Sequence, residues 1–247
     1  AVRTMVLRRK SKLDLRATKD AFPYQLEATE FLKDLDYAGV FHEQGLGKTK
    51  IGIDLALHWL SNDIVDSVII VTKKSLISNW QREIKGHTRL SARILGIDRL
   101  KNYHAFHKPT AIFLAHYEAI LAEEERIEIF SGLRRLGTIL DESHKIKNPD
   151  ARVSSAFHRL GPKFVKRVVM TGSPIANRPY DLWSQVYFLD QGEALGKNFR
   201  EFKRQLDIPR GGHGCQDQTA MTTDSATPLA TEELFETRLA ALAEQIQ

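Results

Sequence analysis

A glycine-rich segment in the first quarter of the chain has the residue types that bind phosphate. Gly45-Leu46-Gly47-Lys48-Thr49 follows an apolar run and precedes a helical pattern. Glycines let such a loop wrap so that backbone N–H groups point inward, and the next helix contributes its positive dipole end. The Lys48 ammonium can reach terminal phosphates, and the Thr49 hydroxyl can bind Mg²⁺. The segment predicts a nucleotide-phosphate site, although the general pattern has a glycine at the position of His42.

Two adjacent acids, Asp141 and Glu142, end another apolar run. Asp141 can hold Mg²⁺, directly or through water, while Glu142 can orient and polarise the water that attacks the γ-phosphate. Taken alone, the two acids would more often be ordinary acidic residues at the start of a helix. Because the glycine segment lies upstream, we predict ATP hydrolysis with Lys48, Asp141 and Glu142 as the catalytic residues.

Short β-branched runs alternate with longer helical patterns along the chain. This rhythm predicts an α/β fold with a mostly parallel sheet and helices on both faces. Ligands on such sheets bind beyond the carboxyl ends of the strands, so the loops that follow the strands should carry the site. The predicted strands are Ala38–Phe41, Val68–Thr72, Ala111–Ala115, Thr138–Leu140 and Arg167–Met170.

Together, these motifs resemble those of superfamily-two helicases, and the residues around them narrow the resemblance to the SWI/SNF-like branch. The most selective matches are the Lys-Asn tail after Asp141-Glu142-Ser143-His144 and the string that begins at Met170. The segments that carry the resemblance are Phe22 to Gln25, Glu43 to Thr49, Lys74 to Glu83, Asp141 to Asn148, Met170 to Asn177 and Asp181 to Ser184.

The resemblance implies a RecA-like P-loop domain, the first lobe of a two-lobed ATPase motor that moves along duplex DNA. It implies ATP and Mg²⁺ as cofactors, with Gln25 reading the adenine. Thr171 and Ser173 would sense the nucleotide state near Glu142, although simple turn capping explains both hydroxyls equally well. Arginine fingers would come from a second lobe in the same parent chain, so the fragment alone should be nearly inactive.

The DNA contacts should come from the loops after the strands at Val68 and Ala111. Helix N-termini, ammonium groups and hydroxyls hold backbone phosphates without reading sequence. For Trp80, core packing is favoured over base stacking. Ala115 and His116 replace the hydroxyl residues of the family's fourth motif, which leaves that contact open. The candidate DNA-binding residues are Lys73, Lys74, Ser75 and Asn79.

Composition sets only broad bounds on function. The 247 residues carry a net charge of +5, a weak bias toward polyanions. A single cysteine, Cys215, excludes an internal disulfide and any cysteine-pair zinc site. The chain has no run of 18 apolar residues and no secretory signal pattern. We therefore expect an intracellular protein, cytoplasmic, nucleoid-associated or nuclear, that is not secreted and has no membrane partner.

The sequence divides into a lead-in at 1–20, an ATP-binding lobe at 21–206, an exposed loop at 207–228 and a helix at 229–247 that leads toward the second lobe. Alternatives within the same class are a motor subunit of a restriction or repair system and an RNA helicase. A non-hydrolysing nucleotide-gated scaffold is a third alternative. Within the DNA branch, the compact lobe favours a bacterial, phage or fork-remodelling type over a nucleosome remodeller.

Overall fold

The computed structural model describes residues 13–108, 110–175 and 178–206, and these residues form one α/β unit. Six parallel strands make a single sheet in the order β1–β6–β5–β2–β4–β3, which confirms the predicted fold class. The strands are β1 (Tyr37–Val40), β2 (Ser67–Thr72), β3 (Ala92–Leu95), β4 (Ile112–His116), β5 (Leu136–Asp141) and β6 (Phe164–Met170).

Helices cover both faces of this sheet, as parallel strands require. The α-helices are α1 (Pro23–Leu32), α2 (Lys48–Ser61), α3 (Ile77–His87), α4 (Arg99–His107), α5 (Tyr117–Ala122), α6 (Glu124–Leu133), α7 (Arg152–Leu160), α8 (Trp183–Asp190) and α9 (Phe199–Leu206). Among the described residues, no helix combines the length and apolarity needed to cross a bilayer.

Alternate residues of the central strands enter two separate cores. Val68 and Ile70 of β2 pack with residues of α2 and α3 on one face of the sheet. Ile69 and Val71 pack on the other face with residues of α4 to α8. Every residue of β2 is buried, so its near-continuous apolar run follows from burial on both faces.

The five predicted strands are confirmed, but the prediction of five was wrong because it missed β3. That strand lies at the sheet edge and pairs only with β4. Of its four residues only Leu95 is buried, so the strand lacks the apolar run by which the others are recognised.

The predicted lead-in packs against the lobe. The Thr18 backbone N–H donates to the His87 carbonyl at 2.8 Å, and Thr18 Oγ1 donates to the Gly86 carbonyl at 3.0 Å. These bonds fix residue 18 at the carboxyl end of α3. Residues 1–12, the predicted loop 207–228 and the predicted helix 229–247 lie outside the described residues.

Candidate ATP-binding site and adjoining cleft

The glycine loop joins β1 to α2 at the carboxyl edge of the sheet. Gly45 and Gly47 have φ angles of +87° and +65°, where side-chain-bearing residues are strained. Gly47 is also short of space, because a Cβ there would lie 2.2 Å from Nε2 of Gln25. Lys48 begins α2, so the loop runs directly into a helix N-terminus, as a phosphate cradle requires.

The Lys48 ammonium lies across this loop. Its Nζ donates to the carbonyls of His42 and Glu43, each at 2.8 Å. Neighbouring Lys50 is buried and bonds both carboxylate oxygens of Asp54, so it is committed to the helix. Lys48 is the lysine that can exchange two neutral carbonyl acceptors for charged phosphate oxygens, which form stronger hydrogen bonds.

Gln25 is buried beside the loop, with its amide engaged by protein groups. Its Oε1 accepts from the Phe22 backbone N–H at 3.0 Å. Its Nε2 lies 3.4 Å and 3.5 Å from the carbonyls of Leu46 and Gly47. The residue predicted to read adenine therefore touches the phosphate loop directly.

The two acids at the end of β5 occupy different environments. Oδ2 of Asp141 accepts from Trp80 Nε1 at 2.8 Å and from Thr72 Oγ1 at 3.0 Å. Burial raises the pKa of Asp141 above its ordinary value, and the bonds from Trp80 and Thr72 oppose the rise. Trp80 is only 1% exposed, so the predicted core packing is confirmed and this indole cannot stack on a base.

Glu142 has the left-handed backbone conformation, with φ 55° and ψ 47°. This conformation is uncommon for a residue with a Cβ and occurs mainly at functional or constrained positions. Its Oε2 lies 3.3 Å from Nζ of Lys73 and 3.2 Å from Nδ1 of His144. Lys73, predicted as a DNA ligand, is therefore paired with the predicted water-activating carboxylate.

A chain of contacts leads from Glu142 to the loop after β6. His144 Nδ1 lies 3.3 Å from Thr171 Oγ1, which accepts from the Ser173 backbone N–H at 3.1 Å. Burial, followed by the charge of Lys73, lowers the pKa of His144 and favours its neutral ring. Thr171 thus lies two contacts from Glu142 and Ser173 three, the neighbourhood predicted for residues that sense the nucleotide.

The loop after β6 also packs against the phosphate cradle. The Thr171 backbone N–H donates to the Val40 carbonyl at 3.2 Å, and a Cβ at Gly172 would lie 3.0 Å from Cγ of Gln44. Gln185 of α8 bonds both motif loops, because its Oε1 accepts from Ser143 Oγ at 2.6 Å and its Nε2 donates to the Pro174 carbonyl at 2.9 Å. The three motif loops therefore form one contiguous site.

A cleft of about 640 Å³ adjoins Glu142 on the side of β2 and β4. Lys74 and Ser75, which line it, are exposed, whereas Asn79 is half-buried on α3 and accepts a hydrogen bond from Arg82. The remaining candidate, Lys73, lines the cleft while contacting Glu142. The cleft is lined by Lys73, Lys74, Ser75, Ile97, His116, Tyr117, Glu118 and Lys145.

The residues that replace the usual hydroxyls of the fourth motif are turned inward. Ala115 is fully buried and His116 is 6% exposed. Nδ1 of His116 lies 2.9 Å from Oε2 of Glu118 and 3.3 Å from the Ala119 backbone nitrogen, at the start of α5. His116 therefore caps a helix, while Tyr117 donates its hydroxyl to the Asp141 carbonyl at 2.7 Å.

Residues 24–243 match the family described as the SNF2-related domain. The chain belongs to this family. The resemblance to SWI/SNF-like ATPases that the motifs carry is thereby confirmed, and the phosphate loop, acid pair and third-motif loop all lie within the matched range.

Relatives and solved structures of this SNF2-related domain agree with that assignment. The chain is 28% identical over 201 residues to bovine DNA excision repair protein ERCC-6-like, covering 76% of this chain and 16% of the relative. It is 29% identical over 182 residues to the ISWI chromatin-remodeling complex ATPase ISW1 of Saccharomyces cerevisiae, covering 68% and 15%. With the zebrafish (Danio rerio) DNA repair and recombination protein RAD54-like, identity is 28% over 214 residues, covering 76% and 28%.

The fold matches the Sulfolobus solfataricus SWI2/SNF2 ATPase core solved in complex with double-stranded DNA. The TM-score is 0.63 at 24% identity, over 78% of this chain and 40% of that chain. The likeness supports the RecA-like arrangement of sheet and helices. The chain spans less than a third of the length of each of the three relatives.

The sequence did not indicate several contacts of the candidate site. Trp80 and Thr72 hold Asp141, and Lys73 and His144 contact Glu142, although most of these residues are far apart in the chain. The pairing of β2 with β5, which aligns Val71 with Leu140, brings Thr72 and Lys73 to the acids. Trp80 reaches Asp141 from α3. No local pattern indicates this sheet order, so the sequence predicted the strands but not which strands are neighbours.

Proposed function

We propose that this SNF2-related domain is the first ATP-binding lobe of an ATPase motor that acts on duplex DNA together with a second RecA-like lobe. The observation that carries the proposal is the shared sheet edge. Lys48, Asp141 and Glu142 lie at the carboxyl ends of β1 and β5, and a cleft lined by lysines lies beside them. One lobe thus brings the residues suited to phosphoryl transfer next to a surface suited to backbone phosphates.

The cradle would bind the phosphates of ATP through backbone N–H groups and the N-terminus of α2. Lys48 would leave the carbonyls of His42 and Glu43 for the terminal phosphates. The adenine role of Gln25 stays a proposal, and it requires the amide to exchange its contacts with the loop for the base edge. Such an exchange would link nucleotide occupancy to the shape of the loop.

The donor set fits magnesium better than a transition metal. Thr49 offers a hydroxyl and Asp141 a carboxylate, and Mg²⁺ favours such oxygen ligands together with substrate phosphates and water. Among the described residues no group of three or more histidine, cysteine or acidic side chains could hold a metal without substrate. When bound, Mg²⁺ would neutralise charge on the phosphate oxygens.

Glu142 would orient the attacking water and accept its proton, while Asp141 stays fixed by Trp80 and Thr72. His144 would connect Glu142 to Thr171 and Ser173, so that a change at the γ-phosphate could alter the loop after β6. The hydrogen bond from the Ser173 backbone N–H to the Thr171 hydroxyl also caps the turn after β6. The coupling role is supported by the contact of the loop after β6 with the cradle. Gln185 also bonds both that loop and the segment after Glu142.

Duplex DNA would lie in the cleft beside Glu142, held through its backbone. Lys73, Lys74 and Ser75 offer ammonium and hydroxyl donors, and none of these groups distinguishes one base pair from another. The structurally similar Sulfolobus solfataricus core was solved with double-stranded DNA bound, which favours DNA as the partner here. We propose an intracellular site of action, where such DNA is found.

The position within the family is a finer proposal. The sequence favours a bacterial, phage or fork-remodelling type, but a repair protein and a remodelling ATPase match the chain at 28% and 29% identity. The ordered contacts of Lys48, Asp141 and Glu142 favour a hydrolysing motor over a nucleotide-gated scaffold.

The test is phosphate release by the full-length protein with linear duplex DNA, with single-stranded RNA and without nucleic acid. We expect that only duplex DNA stimulates phosphate release by the wild type. Lys48→Ala should show no stimulation, because backbone groups cannot replace the missing ammonium charge. Stimulation by RNA alone would favour the RNA-helicase alternative. A strand-separation assay on the same DNA distinguishes movement along the duplex from unwinding.

A further inference from the structure

Lys73 lines the cleft, and its ammonium group contacts the side-chain carboxylate of Glu142. It follows β2 directly, and β2 pairs with β5 so that Val71 is opposite Leu140. Continuing that register places Thr72 beside Asp141 and Lys73 beside Glu142. The hydrogen bond of Thr72 to Asp141 and the 3.3 Å contact of Lys73 with Glu142 follow from this alignment.

Two groups approach one carboxylate oxygen of Glu142. Lys73 Nζ and His144 Nδ1 both approach Oε2 of Glu142, at 3.3 Å and 3.2 Å. The left-handed backbone at Glu142 fixes where its side chain starts, so the carboxylate has few ways to move while the pair persists. A water approaching this oxygen competes with an ammonium group.

The pair is placed so that DNA can compete for the ammonium. The side chains of Lys73 and Glu142 are 33% and 21% exposed. An ion pair of this kind favours the paired over the unpaired arrangement by no more than about fivefold. Lys74 and Lys145 line the same cleft and add to its attraction for a polyanion. A DNA phosphate near Lys74 would be within the range of the flexible lysine stem at position 73.

We propose that Lys73 is a positioning residue that restrains Glu142 without DNA and moves to a backbone phosphate when duplex DNA enters the cleft. Glu142 then takes the proton of the attacking water as the new P–O bond forms and the bond between the γ-phosphorus and the ADP oxygen breaks. This inference rests on the proposed function. It accounts for a part of the acceleration by DNA, up to about fivefold, that one side chain can provide.

The test measures kcat and KM for ATP in the full-length protein, without DNA and with saturating duplex DNA. Lys73→Ala should raise the DNA-independent kcat by up to about fivefold, with little change in KM, and should narrow the ratio of stimulated to basal rate. Lys73→Arg keeps a cation and should restore the low basal rate. The control is Lys101→Ala, which removes an 84% exposed lysine on α4 and should match the wild type.

The outcomes separate this inference from the proposed function. If duplex DNA stimulates the wild type but Lys73→Ala keeps both the basal rate and the ratio, the inference is wrong and the function stands. If Lys73→Ala lowers both rates equally, Lys73 is a fixed part of the hydrolytic site and the switch is wrong. A wild type that duplex DNA does not stimulate would remove the function and the inference together. Lys73→Gln, a polar replacement of similar length, provides the same comparison if the alanine variant unfolds.

Discussion

At the scale of single residues, the two acids at the end of β5 are distinguished by what surrounds them. Asp141 is buried, and an indole and a hydroxyl bond the same carboxylate oxygen. Glu142 is more exposed, and a lysine and a histidine approach it. A fixed carboxylate suits a metal shell, whereas one with exchangeable partners suits proton transfer.

Glu142→Gln should retain nucleotide binding and lose hydrolysis in the full-length protein. The amide preserves size and can keep the left-handed backbone, but it cannot accept a proton. General-base catalysis contributes about 10²- to 10⁴-fold, so single-turnover hydrolysis should fall by at least about 10²-fold. Titration with a fluorescent ATP analogue checks binding. Glu128→Gln, which alters an exposed acid paired with Lys163, is the matched control. Unchanged turnover in Glu142→Gln would remove this residue from the water-activating role.

Trp80→Phe should weaken Mg²⁺-dependent nucleotide binding and lower the free energy of unfolding. The phenyl ring keeps most of the packing but leaves Asp141 without its 2.8 Å bond from the indole N–H. Removing a hydrogen bond to a buried charged group costs about 1–3 kcal/mol of unfolding free energy, measured by denaturant titration.

Trp59→Phe is the matched control for this substitution. Its indole donates to the Lys33 carbonyl at 3.2 Å, away from the acids. It should lose stability without changing nucleotide affinity in the presence of Mg²⁺. Equal affinities in the wild type and Trp80→Phe would show that the indole only packs.

At the scale of elements, the sequence indicated the features that depend on residues close together in the chain. Buried apolar runs revealed five strands, and glycines with a following helix revealed the phosphate loop. The edge strand β3 was missed because three of its four residues are not fully buried. The pairing of Lys73 with Glu142 was missed because it depends on β2 lying next to β5, a long-range choice of sheet order. The position of these residues after a strand was predicted correctly, but their partners were not.

The cleft formed by the ends of β2 and β4 should bind duplex DNA without sequence preference. Lys74→Ala and Lys145→Ala should weaken binding similarly for different DNA sequences, because interactions with the DNA backbone carry no base information. The slope of log affinity against log salt should fall by about one unit for each phosphate that a variant no longer neutralises. Fluorescence titration at several salt concentrations measures both effects. Weakening that depends on sequence would contradict backbone recognition.

The packing of α7 on α8 should make stability depend on pH. Burial lowers the pKa of His158, whose Nε2 lies 3.0 Å from the Ser184 carbonyl. The unfolded chain therefore binds a proton near its ordinary pKa of 6.5 before the folded state does. Stability from this group is present above the unfolded pKa and is lost as pH falls through the folded pKa.

The measurement is the thermal unfolding midpoint between about pH 7.5 and about pH 5.5. The midpoint should fall less on acidification in His158→Gln, which keeps an N–H donor but does not titrate. An equal fall in both proteins would assign the pH dependence to other groups, such as His144, which both proteins retain.

At the scale of the whole molecule, the described lobe joins its motif loops into one unit. The cradle contacts the loop after β6, and Gln185 bonds both that loop and the segment after Glu142. In the function we propose, such connections would carry a change at the nucleotide phosphates to the cleft beside Glu142. In that proposed function, the arginine fingers that stabilise transition-state charge come from a second lobe.

The most direct test of this division of labour is phosphate release by the 247-residue chain and by the full-length protein, each with and without duplex DNA. We predict that the chain binds ATP weakly and hydrolyses it more slowly than the full-length protein by about 10³- to 10⁵-fold, the contribution of arginine fingers. Duplex DNA should stimulate the full-length protein far more than the chain. Release of Glu142 by Lys73 contributes at most about fivefold, and the remaining stimulation requires two lobes to close. Comparable DNA-stimulated rates in both proteins would contradict the account, since the catalytic set would then be complete in this lobe.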